Sequence, residues 1–424
     1  MKRYIALLLA VLMACSIFVG CSRSSGENST SEKSTAKAVD DDALKVGFIL
    51  PAEGDAPDTE AREDAIRIMQ KQTGLADNQV YILENVSAEK CPDQIAKLEK
   101  KGCQMIFALG ARYEESVLQA AQDYEDIQFC IEGGHDTIDC GLANVHTFNS
   151  KIYEAYYAAG YISGVKLNDM LNKGDASPYD LRVGFVAYKE CAETSTCINA
   201  YYLGIKEVCS QSTISVRYVG KRGNYDADGE AAKQLAESGV SMMCTYTYTT
   251  AAAAVCAEYG IPIIGNEDNI ISAAPKKAIA STYTDWSVYY IEAVNAMIQG
   301  NELAADWCGG YKGGVVRLTQ LNDEHVPDGL ADRLMEIEKK LRKGSVKIYD
   351  TEKFTIDGSS MDTLVEHDSN YKEYKQYVSK GEFKEQSTKS APVFDKLIDG
   401  VYISTENYLP ETTEASTEET TEAE

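Results

Sequence analysis

From Ala43 onward the chain alternates between two kinds of pattern. Short continuous apolar runs alternate with stretches in which apolar residues return every three or four positions. Leu44-Lys45-Val46-Gly47-Phe48-Ile49-Leu50 is the first run, and 80–83, 105–109 and 128–131 repeat it. Between them, 58–72 (Ala61, Ala65, Ile68, Met69), 94–101 and 113–124 carry helical spacing, the second ending at Gly102. Runs apolar on both faces, each followed by a helix, predict a parallel sheet covered by helices.

After a predicted helix at 153–165 the pattern restarts. Leu181-Arg182-Val183-Gly184-Phe185-Val186-Ala187 mirrors the first run. Helices at 198–208, 231–237 and 251–259 then alternate with strands at 214–219, 241–245 and 261–265. The expected fold is therefore α/β: two Rossmann-like lobes with parallel sheets, joined by a hinge. Such sheets bind ligands at the carboxyl ends of their strands, so two facing lobes share one cleft.

The ends of the chain read differently. Lys2 and Arg3 precede an apolar stretch at 5–19 and then Gly20-Cys21, so 1–20 reads as a signal peptide, with Cys21 as the expected lipid-attachment residue. Cys15 is a second candidate, and an ordinary secretory signal is the plain alternative. Residues 21–43 hold no apolar run and read as a flexible tether. Residues 406–424 form an acidic Thr/Glu tail expected to be disordered. Lobe 1 is expected over 44–148 plus about 285–313, and lobe 2 over 149–284 plus about 314–405.

The 424 residues suit two lobes with tails, and an apolar share of 44% suits a globular body. The formal net charge of −25 argues against nucleic acid and against docking on anionic lipid, leaving membrane attachment to the anchor alone. Of twelve cysteines, ten follow Cys21, and none forms a CxxC pair. Cys191 and Cys197 are close enough in sequence to be one disulfide candidate; Cys103, Cys130 and Cys244 read as buried small hydrophobes.

No HExxH, GxSxG or Walker pattern occurs, and the four histidines show no metal spacing. The expectation is a protein without catalytic activity, cofactor or metal. Gly309-Gly310-Tyr311-Lys312-Gly313-Gly314 precedes a strand-like run and reads as a turn carrying the chain between lobes. The loops after the strands are rich in polar and aromatic residues. They hold Asp55, Arg112 and Tyr113, Glu132, Tyr188, Tyr246, and Asn266 with Glu267. Such a ring suits a polar ligand with a flat part. Any one of these residues could equally cap a helix.

Five segments, in order, resemble the basic membrane protein (BMP) family of lipoprotein receptors. Asn149-Ser150-Lys151-Ile152-Tyr153-Glu154-Ala155 resembles the family's RIYEA segment, and Ile198-Asn199-Ala200-Tyr201 its INAF segment. The Lys45 strand with the Gly54-Asp55-Ala56 turn, the stretch around Trp286, and Gly309 to Val316 match further motifs. Pro392 to Val401 loosely matches a closing helix. The resemblance implies a periplasmic-binding-protein fold with a three-crossover hinge, crossing near Asn149, Thr284 and Gly314. It also implies a receptor, expected to be a monomer, that hands a small polar ligand to an ABC permease and ATPase. A nucleoside is the favoured ligand. A signalling receptor, a secreted hydrolase and a wall adhesin are the competing readings.

The resemblance also implies positions for the ligand contacts. Asp58 and Cys197 stand where the family has aromatic residues that stack on the base. Glu267 stands at the acid that grips ribose hydroxyls, and Glu132 near a base-reading position. Losing two stacking faces would cost about 1–3 kcal/mol. Asp55→Ala and Glu267→Ala, on opposite lobes, are each expected to weaken ligand binding; titration calorimetry showing unchanged affinity in both would reject this site.

Overall fold

The computed structural model describes residues 43–51, 59–178, 181–267, 269–322 and 325–404, all within one compact unit. Cys21, Asp55, Asp58, the signal-like segment, most of the tether and the acidic tail lie outside the described residues.

The first sheet contains β1 (Val46–Pro51), β2 (Val80–Val86), β3 (Met105–Ala108), β4 (Gln128–Glu132), β5 (Val145–Ser150) and β11 (Asp306–Gly309). Its order is β11-β5-β4-β3-β1-β2, parallel throughout. Helix α1 (Thr59–Thr73) and α8 (Ser287–Gln299) cover one face; α2 (Cys91–Lys100) and α3 (Glu114–Asp123) cover the other. That double cover explains the unbroken apolar run of β1. Val46, Phe48 and Leu50 join the core under α1 and α8, and Ile49 the core under α2 and α3. Phe48 stacks on Phe107 with ring centres 4.6 Å apart.

The second sheet has the order β12-β10-β9-β8-β6-β7-β15. Its strands are β6 (Arg182–Ala187), β7 (Thr213–Tyr218), β8 (Met242–Tyr246), β9 (Ile263–Asn266), β10 (Ala278–Thr284), β12 (Val316–Leu318) and β15 (Val401–Ile403). All pair in parallel except β12, which runs antiparallel to β10. Helices α4 (Ile152–Lys173) and α5 (Ala192–Lys206) pack on one face, and α6 (Tyr225–Glu237) and α7 (Ala251–Tyr259) on the other.

The repeated Val-Gly-Phe has the same packing role in both lobes. A Cβ on Gly47 would come 2.6 Å from the Leu98 side chain of α2, and one on Gly184 3.3 Å from Leu235 of α6. Each central strand gives up a side chain so that a helix leucine can rest on it.

Three passages link the sheets: β5 to α4 through Lys151, β10 to α8 past Asp285, and β11 to β12 through the glycine-rich turn. Backbone hydrogen bonds tie them together. Lys151 N donates to Gly309 O at 2.7 Å, and Asp285 N donates to Val315 O at 2.7 Å. Ser150 Oγ lies 3.4 Å from Thr284 Oγ1, joining the first passage to the second. Gly310 and Gly314 are required here: a Cβ on Gly310 would strike the Glu154 carboxylate at 2.5 Å, and Gly314 has φ 74°.

Several features depart from the sequence-based reading. Helix α5 starts at Ala192 rather than 198, because buried Thr194 and Thr196 find hydrogen-bond partners that a polar stretch does not advertise. Residues 392–400 form no helix; irregular chain there leads into β15. Cys191 and Cys197 are free thiols. Cys191 is the extended N-cap of α5 and Cys197 lies six residues on within the helix, about 9 Å away and beyond the span of a disulfide.

Where α4 crosses α5 their backbones nearly touch. A Cβ on Gly160 would lie 2.0 Å from Tyr201 O, and one on Gly204 2.2 Å from Tyr157 O. Gly204→Val is expected to destabilise the protein by about 3 kcal/mol or more, read as a lower urea midpoint. A midpoint equal to wild type would show that the helices can separate freely.

Candidate functional site

The carboxyl ends of both sheets face a cavity of about 300 Å³. Its lobe 1 wall is built on an ion pair. Arg62, on the inner side of α1 and only 4% exposed, donates through both terminal nitrogens to Glu132 at the end of β4. The Nη2–Oε1 distance is 2.8 Å. Burial works against charge on Arg62, but the Glu132 carboxylate more than offsets it, so the guanidinium is held above its ordinary pKa. Its buried Nε has no hydrogen-bond partner among the described residues. Trp286, at the start of α8, completes this wall and meets Phe148 edge-on at 5.3 Å.

The lobe 2 wall carries a second pair. Glu193, in the first turn of α5, accepts from Tyr188 OH at 2.8 Å, Tyr246 OH at 2.8 Å and Arg222 Nη2 at 2.6 Å. The Arg222 guanidinium lies 4.1 Å over the Tyr188 ring and 5.2 Å from that of Tyr248. Burial raises the Tyr188 and Tyr246 hydroxyl pKa values, with Glu193 adding to it, so both stay protonated donors. Arg222 too is raised, because Glu193 outweighs the burial that opposes its charge. Behind Tyr248, Thr249 donates to the buried Asp228 at 2.6 Å; desolvation pushes that carboxyl up to about 6.

Of the residues singled out in the sequence, Arg112, Glu132, Tyr246, Asn266, Glu267 and Trp286 line the cavity. Asn266 is spent internally: its Oδ1 accepts from Tyr156 and Thr282, and its Nδ2 donates to Thr247 O. Glu267 is held at φ 61°, a conformation that costs about 1–2 kcal/mol away from glycine, with its backbone N–H donating to Thr282 O at 2.8 Å. Tyr113 is not in the cavity. It is fully buried in the lobe 1 core, its hydroxyl donating to Val86 O at 2.7 Å. Tyr188 stands one layer back, behind Arg222. Cys197 lines the cavity one helical turn beyond Glu193, its thiol held protonated by burial.

The sequence reading missed Arg62, Glu193 and Arg222. Arg62 lies in an amphipathic helix, where a charged residue is expected to face water. Arg222 lies in a loop with no repeating pattern. Gln386 and Pro392, which also line the cavity, come from far along the chain. Three arginines (62, 112, 222) face three glutamates (132, 193, 267), so the described lining is formally balanced. Among the described residues no group of three or more His, Cys, Asp or Glu is placed to hold a metal.

Arg222→Ala would leave Glu193 with only hydroxyl donors and is expected to cost about 1–3 kcal/mol of stability, after discounting for partial exposure. Adding Glu193→Gln should recover part of that loss in a urea-unfolding double-mutant cycle. Strictly additive costs would show the two groups to be uncoupled.

Comparison with known proteins agrees with this architecture. Residues 44–352 match the Bmp family, described as ABC transporter substrate-binding protein, PnrA-like. A purine-binding protein of Brucella abortus (strain 2308) is 25% identical over 316 residues, covering 73% of this chain and 84% of that protein. A solute-binding protein of an ABC transporter system from Conexibacter woesei shares the fold at TM-score 0.57 and 18% identity, covering 72% of this chain and 98% of its own. One from Aeropyrum pernix K1 does so at TM-score 0.57 and 13% identity, covering 78% and 96%. With most of its length matched, including both lobes and the passages between them, this chain belongs to the Bmp family of ABC-importer substrate-binding proteins.

Proposed function

We propose that this protein binds a neutral, ring-containing polar metabolite, nucleoside-like, between its lobes and delivers it to an ABC permease without transforming it. The observation that carries the reading is the make-up of the two walls. Each presents an arginine–glutamate pair, and their charges balance. A net charge on the ligand would enter the cavity without a counter-charge, at a cost that grows as water is expelled. A neutral solute with donors and acceptors around a ring meets both a carboxylate and a guanidinium on each wall.

Tyr248 and Trp286 offer flat faces where Asp58 and Cys197 replace the aromatics of nucleoside-binding relatives. The guanidinium of Arg222, stacked between Tyr188 and Tyr248, stiffens the first of these faces. The name of the Brucella relative, a purine-binding protein, supports the same ligand class. Closure follows from differential affinity: a ligand touching both walls stabilises the closed arrangement by the contacts it gains there. No described helix is long and apolar enough to cross a membrane. The proposed attachment is lipid on Cys21, which rests on the basic start, the apolar stretch at 5–19 and Gly20-Cys21, with the protein working as a monomer on the outer face of the cell membrane.

A thermal-shift screen of nucleosides, bases, sugars and vitamins on the full chain tests this. Adenosine or guanosine should raise the melting temperature progressively, corresponding to about 2.7 kcal/mol at a hundredfold excess over Kd. Their 5′-monophosphates should give little or no shift. Stabilisation by sugars alone, or by the phosphorylated forms in preference, would overturn the assignment.

A further inference from the structure

The match to the family ends at residue 352, but the described chain continues to residue 404 and returns to the cavity. This continuation includes a short hairpin of β13 (Thr355–Ile356) and β14 (Ser359–Ser360), helix α9 (Met361–His367), and irregular chain leading to β15. It is firmly seated on lobe 2. β15 pairs with β7, and Phe383 and Phe394, both buried, pack 4.7 Å apart. The Asn199 side chain binds both Lys396 O and Ile398 N. Glu385, 2% exposed, accepts from Thr196 Oγ1 at 3.0 Å, Val393 N at 2.8 Å, Phe394 N at 2.9 Å and its neighbour Gln386 N at 3.1 Å. Four donors on one carboxylate fix the base of the loop that follows.

From that fixed base, residues 386–392 reach the other side. Gln386 Nε2 donates to Ser150 O, at the first passage between the lobes, at 3.2 Å. The Lys389 ammonium pairs with the Asp139 carboxylate in the loop after β4. Ser390 N donates at 2.8 Å to Asp306 in β11, at the edge of the lobe 1 sheet. Gln386, held at φ 49°, and Pro392 line the cavity. One segment thus touches lobe 2, the hinge, lobe 1 and the cavity.

We propose that residues 384–392 are a fourth connection between the lobes, a strap that closes the hinge-side end of the cavity and holds the lobes at their working angle. The proposal rests on reading the cleft as the ligand site, but the strap can be tested without any ligand. Because its base is clamped to lobe 2, its contacts with Asp139, Asp306 and Ser150 resist opening. Each must break, or the loop must move, if the lobes swing apart. Gln386 is a positioning residue in this scheme: its side chain ties the strap to the backbone of the passage about which the lobes turn.

The test is the interlobe distance distribution of the ligand-free full chain, measured by single-molecule energy transfer. Encoded fluorophores go at Lys97 on α2 and Lys233 on α6, both exposed. Lys389→Ala/Asp306→Ala should shift the distribution to longer distances or broaden it. Gln386→Ala, which leaves both acidic partners intact, should do so too. Distributions that superimpose on wild type in both variants overturn the proposal. If adenosine and guanosine fail to bind wild type, the ligand assignment falls while this measurement still decides the strap.

Discussion

The hydrogen bonds between the interlobe passages are what the rest of the arrangement depends on. Two parallel sheets would each present their own row of strand ends wherever they lay. Lys151 to Gly309 and Asp285 to Val315 bind the passages into one narrow bundle, and the Ser150–Thr284 contact adds a side-chain link. With the passages held together, the strand ends of both sheets share one cavity. The covalent links between the two sheets are thereby limited to a few residues that lie outside either core. Glycine at 310 leaves room for the Glu154 carboxylate, and glycine at 314 accepts the left-handed turn at φ 74° that brings the chain back.

Most of the fold was legible because parallel strands covered on both faces must be apolar throughout. β1, β3, β6 and β8 announce themselves in that way. β5 and β10 do not, although they are equally central. Their buried residues include Thr147, Ser150, Ser281 and Thr282, and His146 bridges Gln128 and Ala304 O. Polar groups are tolerated there because each such partner replaces water. A pattern that counts only apolar positions reads those stretches as loop.

The site divides along a similar line. Glu132 and Tyr246 end β4 and β8 and Glu267 directly follows β9, so sheet topology alone places them at the cavity. Arg62 and Arg222 do not, since nothing in their neighbourhoods distinguishes an inward guanidinium from a solvated one. Each is turned inward by a partly buried carboxylate, Glu132 or Glu193, that lies far away in sequence. Tyr113 shows the converse. It follows a strand end as closely as Arg112 does, yet the first turn of the helix points its ring into the core. Gln386 and Pro392 were beyond reach of local reasoning, since they arrive from more than a hundred residues past the last strand of the repeated pattern.

The balance of charge inside the cavity contrasts with the formal −25 of the whole chain. At low ionic strength the field of that net charge extends tens of ångströms and disfavours the approach of anions; at physiological salt it shrinks to about 8 Å. An uncharged solute crosses that field without doing work. Its arrival rate is then set by diffusion, independent of the salinity of the surroundings. Anionic relatives of the same solute are turned away at a distance that changes with the medium.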